Sequence, residues 1–518
     1  MQSVNFMIIC YNGRMSSTTT FCVTSDVHAT VLERSYADGQ IKPYGLSRYV
    51  TALSQRRASG EVITLDNGDI LQGSPLLTYF HQKHLSPHLL AQVMNTIGID
   101  YFNLGNHDFN YGLPILKQFL SDLNAKVLTS NVLLNGHPLG QSVLHHTKDG
   151  TRIALIGVVT DYIPHWEKPQ HLEGITFLDP IEVVKSEVKQ WRSKADLVVV
   201  AYHGGLERDP ITGEPTEPLT GENDGYALTQ IPGIDVLITG HQHRSIATRI
   251  GSTVVTQTAF NALEYAQITL EGSKVNDVKL VKLGDYEPDP CLAEVVKPWE
   301  DRTQTWLDQP VGRLYGHDYR IRDKFDARVH KHPLISFIND IQRELTGAQL
   351  SGTSLFNEPV GFNPQVTTRD IVSTYIYPNT LVVKRITGKT LKAYLEQCAE
   401  YFTVKDGQLA VNPAFDDPKP QHFNYDMVDG IDYTLTISNP VGQRVTVLTV
   451  QDHPVEDEEV FTLVINNYRA AGGGNFAMIA ESETVAEINT DFVELLIAYF
   501  QAHPQLTPAH RSNITITL

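Results

Sequence analysis

Five short polar clusters, each closing an apolar run, carry the residue types that bind metal ions. They are Asp26-Val27-His28 after FCVTS, Gly68-Asp69 after VITLDN, Gly105-Asn106-His107-Asp108 after YFNL, His203-Gly204-Gly205 after LVVVAY, and Gly240-His241-Gln242-His243 after VLIT. Hard oxygen donors mixed with imidazoles suit Mn, Zn, Fe, Co or Ni better than Ca or Mg alone. In α/β sheets ligands bind at the carboxyl ends of strands, so five strand ends can bring these side chains to one point. We read that point as a two-metal site. Asp69 is a carboxylate able to bridge two ions, Asn106, His203, His241 and His243 supply neutral donors, and Asp26 and His28, two apart, would face the same way on a strand. Two such ions clamp the attacking and leaving oxygens of an in-line phosphoryl displacement and activate a bridging water. A lone histidine at a strand end is more often an ordinary polar residue; the ordered conjunction carries the reading.

Such clusters need a layered α/β scaffold to position them. From Thr19 to about Asp285, short β-branched runs alternate with longer helical ones. Strands are expected at Thr20–Thr24, Glu61–Leu65, Asp100–Leu104, Lys126–Leu133, Arg152–Val159, Leu197–Ala201 and Val236–Thr239, with helices at Tyr44–Arg57, Pro87–Ile97, Leu113–Leu123 and Ile181–Lys194. Residues 286–328 turn rich in Pro and charge and read as a linker. A second unit, 329–518, opens with a helix at Pro333–Leu345 and carries strands at Thr380–Ile386, Tyr433–Ile437, Arg444–Val450 and Phe461–Asn466. Residues 1–18 form an N-terminal extension.

At 518 residues the chain suits two or three domains. A formal net charge of −18 argues against a nucleic-acid polymer as partner, since nothing supplies the cationic footprint that neutralises phosphates. Bound cations could still attract a small phosphorylated molecule. Cys10, Cys22, Cys291 and Cys398 form no CxxC pair and read as packing thiols. No apolar run is long enough to span a membrane. Val4–Cys10 lacks a basic flank and a cleavage signature, so it reads as neither signal nor anchor, with Met15 as an alternative start and a cytoplasmic location expected.

The five clusters resemble those of the calcineurin-like metallophosphoesterases over roughly Thr19 to Leu270. The second half contains Tyr377-Pro378-Asn379-Thr380-Leu381, FNYDMVDG around Tyr425, and NNYRAAGGGNF around Tyr468, and resembles the C-terminal domain of the 5′-nucleotidase family. Together these resemblances imply a four-layer α/β/β/α sandwich followed by a smaller α+β substrate-binding domain. They imply two divalent ions, one on Asp26, His28, Asp69 and His243 and the other on Asp69, Asn106, His203 and His241. His107 would be the histidine that is not a ligand and aids the leaving oxygen. The base of a nucleotide substrate would stack on Tyr425 and Tyr468, with Gly472 and Gly473 allowing close backbone approach.

Two departures point to a subgroup. Relatives that cleave 5′-nucleotides usually have Asp where this chain has Asn110, and an Arg-bearing loop where it reads Ser351-Gly352-Thr353-Ser354-Leu355-Phe356-Asn357. The pattern resembles the branch that hydrolyses 2′,3′-cyclic nucleotides and 3′-nucleotides. A 5′-nucleotidase or nucleotide-sugar hydrolase is the alternative, and a non-catalytic nucleotide-binding protein a remote one. Asn110 can orient His107 only by hydrogen bonding, with Asp108 as the substitute carboxylate.

Overall fold

The computed structural model describes residues 18–518 apart from 218, 378, 418 and 489; most of the N-terminal extension, with Cys10 and Met15, and Pro378 lie outside the described residues. Two six-stranded sheets build the first unit. One runs Lys274–Lys282, Glu264–Glu271, Thr18–Thr24, Glu61–Asp66, Tyr101–Phe102 and Lys126–Val127, the other Ile246–Ile250, Thr253–Gln257, Val236–Thr239, Leu197–His203, Arg152–Val159 and Val143–His146. In the first sheet Thr18–Thr24 through Lys126–Val127 run parallel and the remaining two strands antiparallel; in the second the four central strands are parallel and both edge strands antiparallel.

Strand alternation sorts the apolar residues into three layers of core. Phe21, Val23 and Leu65 meet Leu155, Val199 and Ile238 between the sheets. On the outer face of the first sheet, Cys22 and Phe102 pack under Leu53, Met94 and Phe119 of the helices Leu46–Ser59, His88–Ile97 and Gly112–Asp122. On the outer face of the second, Val198 and Val200 pack under Val184 and Val188 of Pro180–Trp191. The order is therefore helix, sheet, sheet, helix.

The second unit is smaller. Its main sheet runs Asp426–Asp429, Leu350–Ser354, Val460–Asn466, Leu381–Thr387 and Glu483–Ile488. On Leu381–Thr387, Val382 and Ile386 face a cluster with Tyr394 and Leu395, whereas Leu381 and Val383 face one with Phe337 and Ile341.

The expected linker is structured. Pro290–Leu307 is a helix whose Asp289 cap accepts from the Leu292 N–H, and its buried positions Leu292, Val296, Thr303 and Leu307 recur at helical spacing. Leu292 and Val296 join the first unit's core, while Trp306 and Leu307 join the second's. Pro310–Leu314 already pairs with Gln365–Thr367 and Gln505–Leu506, so structure belonging to the second unit begins upstream of residue 329. The expected strand Lys126–Leu133 is broken into Lys126–Val127 and Val132–Leu134. Cys22 and Cys398 are buried and Cys291 is exposed, all three as free thiols; burial pushes Cys22 up to about 12. No helix among the described residues is long and apolar enough to cross a membrane.

Candidate active site

Buried amides join the carboxyl ends of the two sheets. Asn103 Nδ2 donates to Asn67 Oδ1, Val158 O and Ala201 O at 3.0, 2.8 and 3.3 Å, and Asn67 Nδ2 donates to Tyr202 O at 3.1 Å. Strand ends from both sheets are thereby fixed at one locus. Turns, not strands, present the donors: Asp26, His28, Asp69, His241 and His243 have φ of 56°, 50°, 63°, 67° and 58°. The expectation that Asp26 and His28 share a strand face is corrected accordingly, since the strand ends at Thr24. Asp, Asn and His tolerate this left-handed region better than most residues, yet each such conformation costs about 1–3 kcal/mol and clusters where function demands it.

The structure brings these side chains together in overlapping groups. Donor atoms of Asp26, His28 and His243 lie within 4.8 Å of one another, as do those of Asp26, Asp69 and His203. His28 Nε2 is 3.1 Å from His243 Nε2, and His243 Nε2 is 3.4 Å from Asp26 Oδ1. His241 Nδ1 meets Asn106 Oδ1 at 2.9 Å, and the His241 backbone N–H donates to Asp26 Oδ1 at 3.0 Å. Gly105 permits the approach, because a Cβ there would meet Asp69 Oδ1 at 2.2 Å.

The electrostatics fit a cation-binding role. Asp69 Oδ2 and His203 Nε2 lie 3.1 Å apart, both buried, neither hydrogen-bonded. Such orphaned atoms require an explanation, and divalent ions between them supply one. Burial would raise Asp69 and Asp26, yet neighbouring histidines, His203 foremost, hold both carboxyls below their usual range. Burial opposes a charge on His203, but Asp69 and Asp26 push it up to about 10. Burial together with His243 depresses His28 to about 4. Two buried carboxylates thus recruit positive charge at the position where the ligands converge. Three of the candidate imidazoles are fixed at a second nitrogen by hydrogen bonds: His28 Nδ1 to Gln72 O at 2.9 Å, His203 Nδ1 to Asn67 O, and His241 Nε2 to Glu222 Oε1 at 2.9 Å.

His107 stands beside this cluster without joining it. Its backbone N–H donates to Asp69 Oδ1 at 2.7 Å, its Nδ1 meets Asn110 Oδ1 at 2.7 Å, and Tyr377 of the second unit stacks on its ring at 5.9 Å. Asp108 is not the carboxylate that serves His107, which corrects that expectation. Its oxygens accept backbone N–H bonds from Asp69, Ile70, Leu71 and Gly105 at 2.8–3.1 Å, so it shapes the Asp69 turn.

One cavity joins the two units. From the first come Asn106, His107, Asn110, Trp166, Glu167 and His241; from the second Phe356, Tyr377, Lys419, Phe423 and Tyr468. Tyr468 is at the cavity as expected, and its ring covers Gly473, where a Cβ would meet it at 2.5 Å. Gly472 instead turns the chain at φ 94° against Ala480.

Tyr425 does not line the cavity. It is fully buried, stacked on Tyr401 at 5.0 Å and 15°, and its hydroxyl lacks a partner. The second aromatic wall is Phe423, two residues earlier in the same FNYD segment, 6.1 Å from Tyr468. Tyr468→Ala is expected to cost about 1–3 kcal/mol of nucleotide binding, read as a raised KM. Tyr425→Phe should leave KM unchanged. A raised KM in the second variant alone would contradict the assignment.

Arg469 ties the two walls together. Two per cent exposed, it donates from Nε to Asp426 Oδ2 at 2.6 Å, from a terminal nitrogen to Phe423 O at 3.0 Å, and to Gly473 O. Arg469→Ala would strand the Asp426 carboxylate, and urea unfolding should register a loss of about 3–5 kcal/mol. A change below about 1 kcal/mol would contradict this buried-pair account.

Fold and site define a calcineurin-like phosphoesterase: that family model matches residues 19–245, and the model for the 5′-nucleotidase C-terminal domain matches 310–481. A Staphylococcus aureus protein provisionally named a 5′-nucleotidase and crystallised with alpha-ketoglutarate is 36% identical, covers 97% of this chain and 100% of its own, and superposes with a TM-score of 0.91. The 2′,3′-cyclic-nucleotide 2′-phosphodiesterase/3′-nucleotidases of Yersinia enterocolitica and Salmonella typhimurium are 27% and 28% identical, over 95% and 87% of this chain and 86% and 80% of theirs. The chain belongs to the 5′-nucleotidase family of metallophosphoesterases.

Proposed function

We propose that the enzyme opens the 2′,3′-cyclic phosphate of a nucleotide at the 2′ oxygen and then removes the remaining 3′-phosphate. The observation that carries this reading is the cavity in which His107, Asn106 and His241 share walls with Phe423 and Tyr468. In it a base can lie on the aromatic rings while its ribose phosphates reach the ligands. Asn110, the Arg-free stretch Ser351–Asn357, and the Yersinia and Salmonella relatives favour cyclic and 3′ substrates.

Asp26, His28, Asp69 and His243 would hold one divalent ion, and Asp69, Asn106, His203 and His241 the other. Such ions, when bound, polarise the phosphoryl oxygens and lower the pKa of water. The remaining chemistry belongs to the side chains. Asn110 engages His107 Nδ1, so when the ring is doubly protonated its Nε2–H faces the substrate and passes that proton to the departing ribose oxygen as its bond to phosphorus breaks. Water supplies the oxygen that phosphorus gains, and the second hydrolysis repeats the step at the 3′ oxygen.

The 36% identity to the Staphylococcus aureus protein favours a second reading, 5′-nucleotide hydrolysis by the same residues. Phosphate release from 2′,3′-cyclic AMP (coupled to a phosphatase-free assay of ring opening), 3′-AMP and 5′-AMP with added Mn separates the two. The first two substrates should be preferred; a clear preference for 5′-AMP would overturn the cyclic assignment.

A further inference from the structure

We propose that Glu167 is a positioning residue for His107, acting through Asn110; this rests on the role given to His107 above. The Glu167 side chain is only 6% exposed. Its Oε2 accepts from Asn110 Nδ2 at 2.6 Å, while Oε1 accepts from the Lys168 N–H at 2.8 Å and meets His171 Nδ1 at 2.7 Å. An ionised carboxylate only accepts, so the Asn110 amide must turn its NH2 toward Glu167. Its oxygen then faces His107 Nδ1 at 2.7 Å. That oxygen also only accepts, so Nδ1 carries the hydrogen and Nε2 is the nitrogen left for substrate. Glu167, 57 residues away from Asn110 in sequence, thereby holds the His107 Nδ1–H toward Asn110 and Nε2 toward the substrate.

The carrier segment packs against the site. Trp166 stacks on His241 at 5.4 Å and 23°, and Lys168 lines the cavity. A carboxylate placed directly at position 110 would reach His107 without help; with Asn there, the charge lies one amide further out, and the amide's direction depends on it.

The polarity of this chain can be reversed by exchange. Glu167→Gln must oppose an NH2 either to Asn110 or to the Lys168 N–H, and Asn110→Asp sets two carboxylates face to face. Combined, the two changes restore a donor–acceptor pair, with a carboxylate accepting from the same His107 Nδ1–H. On 2′,3′-cyclic AMP with saturating Mn, each single variant should lose about 10- to 100-fold in kcat with KM little changed, and the double variant should regain most of it. A residue that merely stabilised the loop would give losses that multiply.

Full kcat in Glu167→Gln, or a double variant as poor as the product of the singles, overturns the proposal. If Glu167→Gln fails to fold, Asn110→Asp against the double variant decides the question alone. His107→Ala run alongside keeps the two claims apart: an inactive His107→Ala with an uncoupled pair sinks the relay only, whereas an active one sinks the role of His107 itself.

Discussion

His107→Ala is expected to lower kcat on 2′,3′-cyclic AMP by about 10²- to 10⁴-fold, the usual worth of a positioned general acid, with an unchanged metal content. Both halves of this expectation come from how the residue is held. Its imidazole meets Asn110, Tyr377 and an edge of His28, 5.5 Å away, and it is not among the proposed ligands, so its removal should leave them in place. Its backbone N–H supports Asp69 and survives the substitution. The loss should also depend on the leaving group. A nitrophenyl ester departs without a proton and should be hydrolysed nearly as fast by the variant as by the parent. An equal loss on both substrates, or depleted metal, would show that His107 acts otherwise.

Asp69→Asn should be more severe, because it acts on the metal site itself. The carboxylate lies 3.1 Å from His203 Nε2, accepts from the His107 N–H, and lies against Gly105. An amide keeps the shape and removes the charge that draws a cation. Loss of a mere supporting partner costs about 10- to 100-fold in metal affinity, so loss of Asp69 in its proposed role as a ligand shared by two ions should exceed that. Metal analysis after dialysis should find the variant largely depleted at Mn concentrations that saturate the parent, with turnover lost in parallel. Retention of both ions with full turnover would remove Asp69 from the centre of the account.

Much of this was legible in the amino-acid sequence because strand ends carry their own signals. Each candidate ligand follows an apolar run, and parallel strands leave their C-terminal ends on one side, so order and spacing alone pointed Asp26, Asp69, Asn106, His203 and His241 toward one locus. The turn geometry of Asp26 and His28 was not legible, since two residues beyond a strand end are free to leave its alternation. Asp108 and Tyr425 were misplaced for a related reason. Residue type announces a carboxylate or a ring but not its direction, and within FNYD the cavity takes Phe423 while the core takes Tyr425. Glu167, Glu222, Trp166 and Lys419 had no sequence signal, because they reach the site from loops whose paths depend on tertiary packing. The helix Pro290–Leu307 hid within a charged, Pro-containing stretch, though Leu292, Val296, Thr303 and Leu307 do keep helical spacing.

The most direct test of the central claim is the rate of 2′,3′-cyclic AMP hydrolysis by protein stripped with a chelator and then titrated with Mn, with bound metal measured at each point. Activity should vanish in the stripped protein and return in proportion to occupancy, reaching its plateau at two ions per chain. Undiminished turnover without metal would contradict the account.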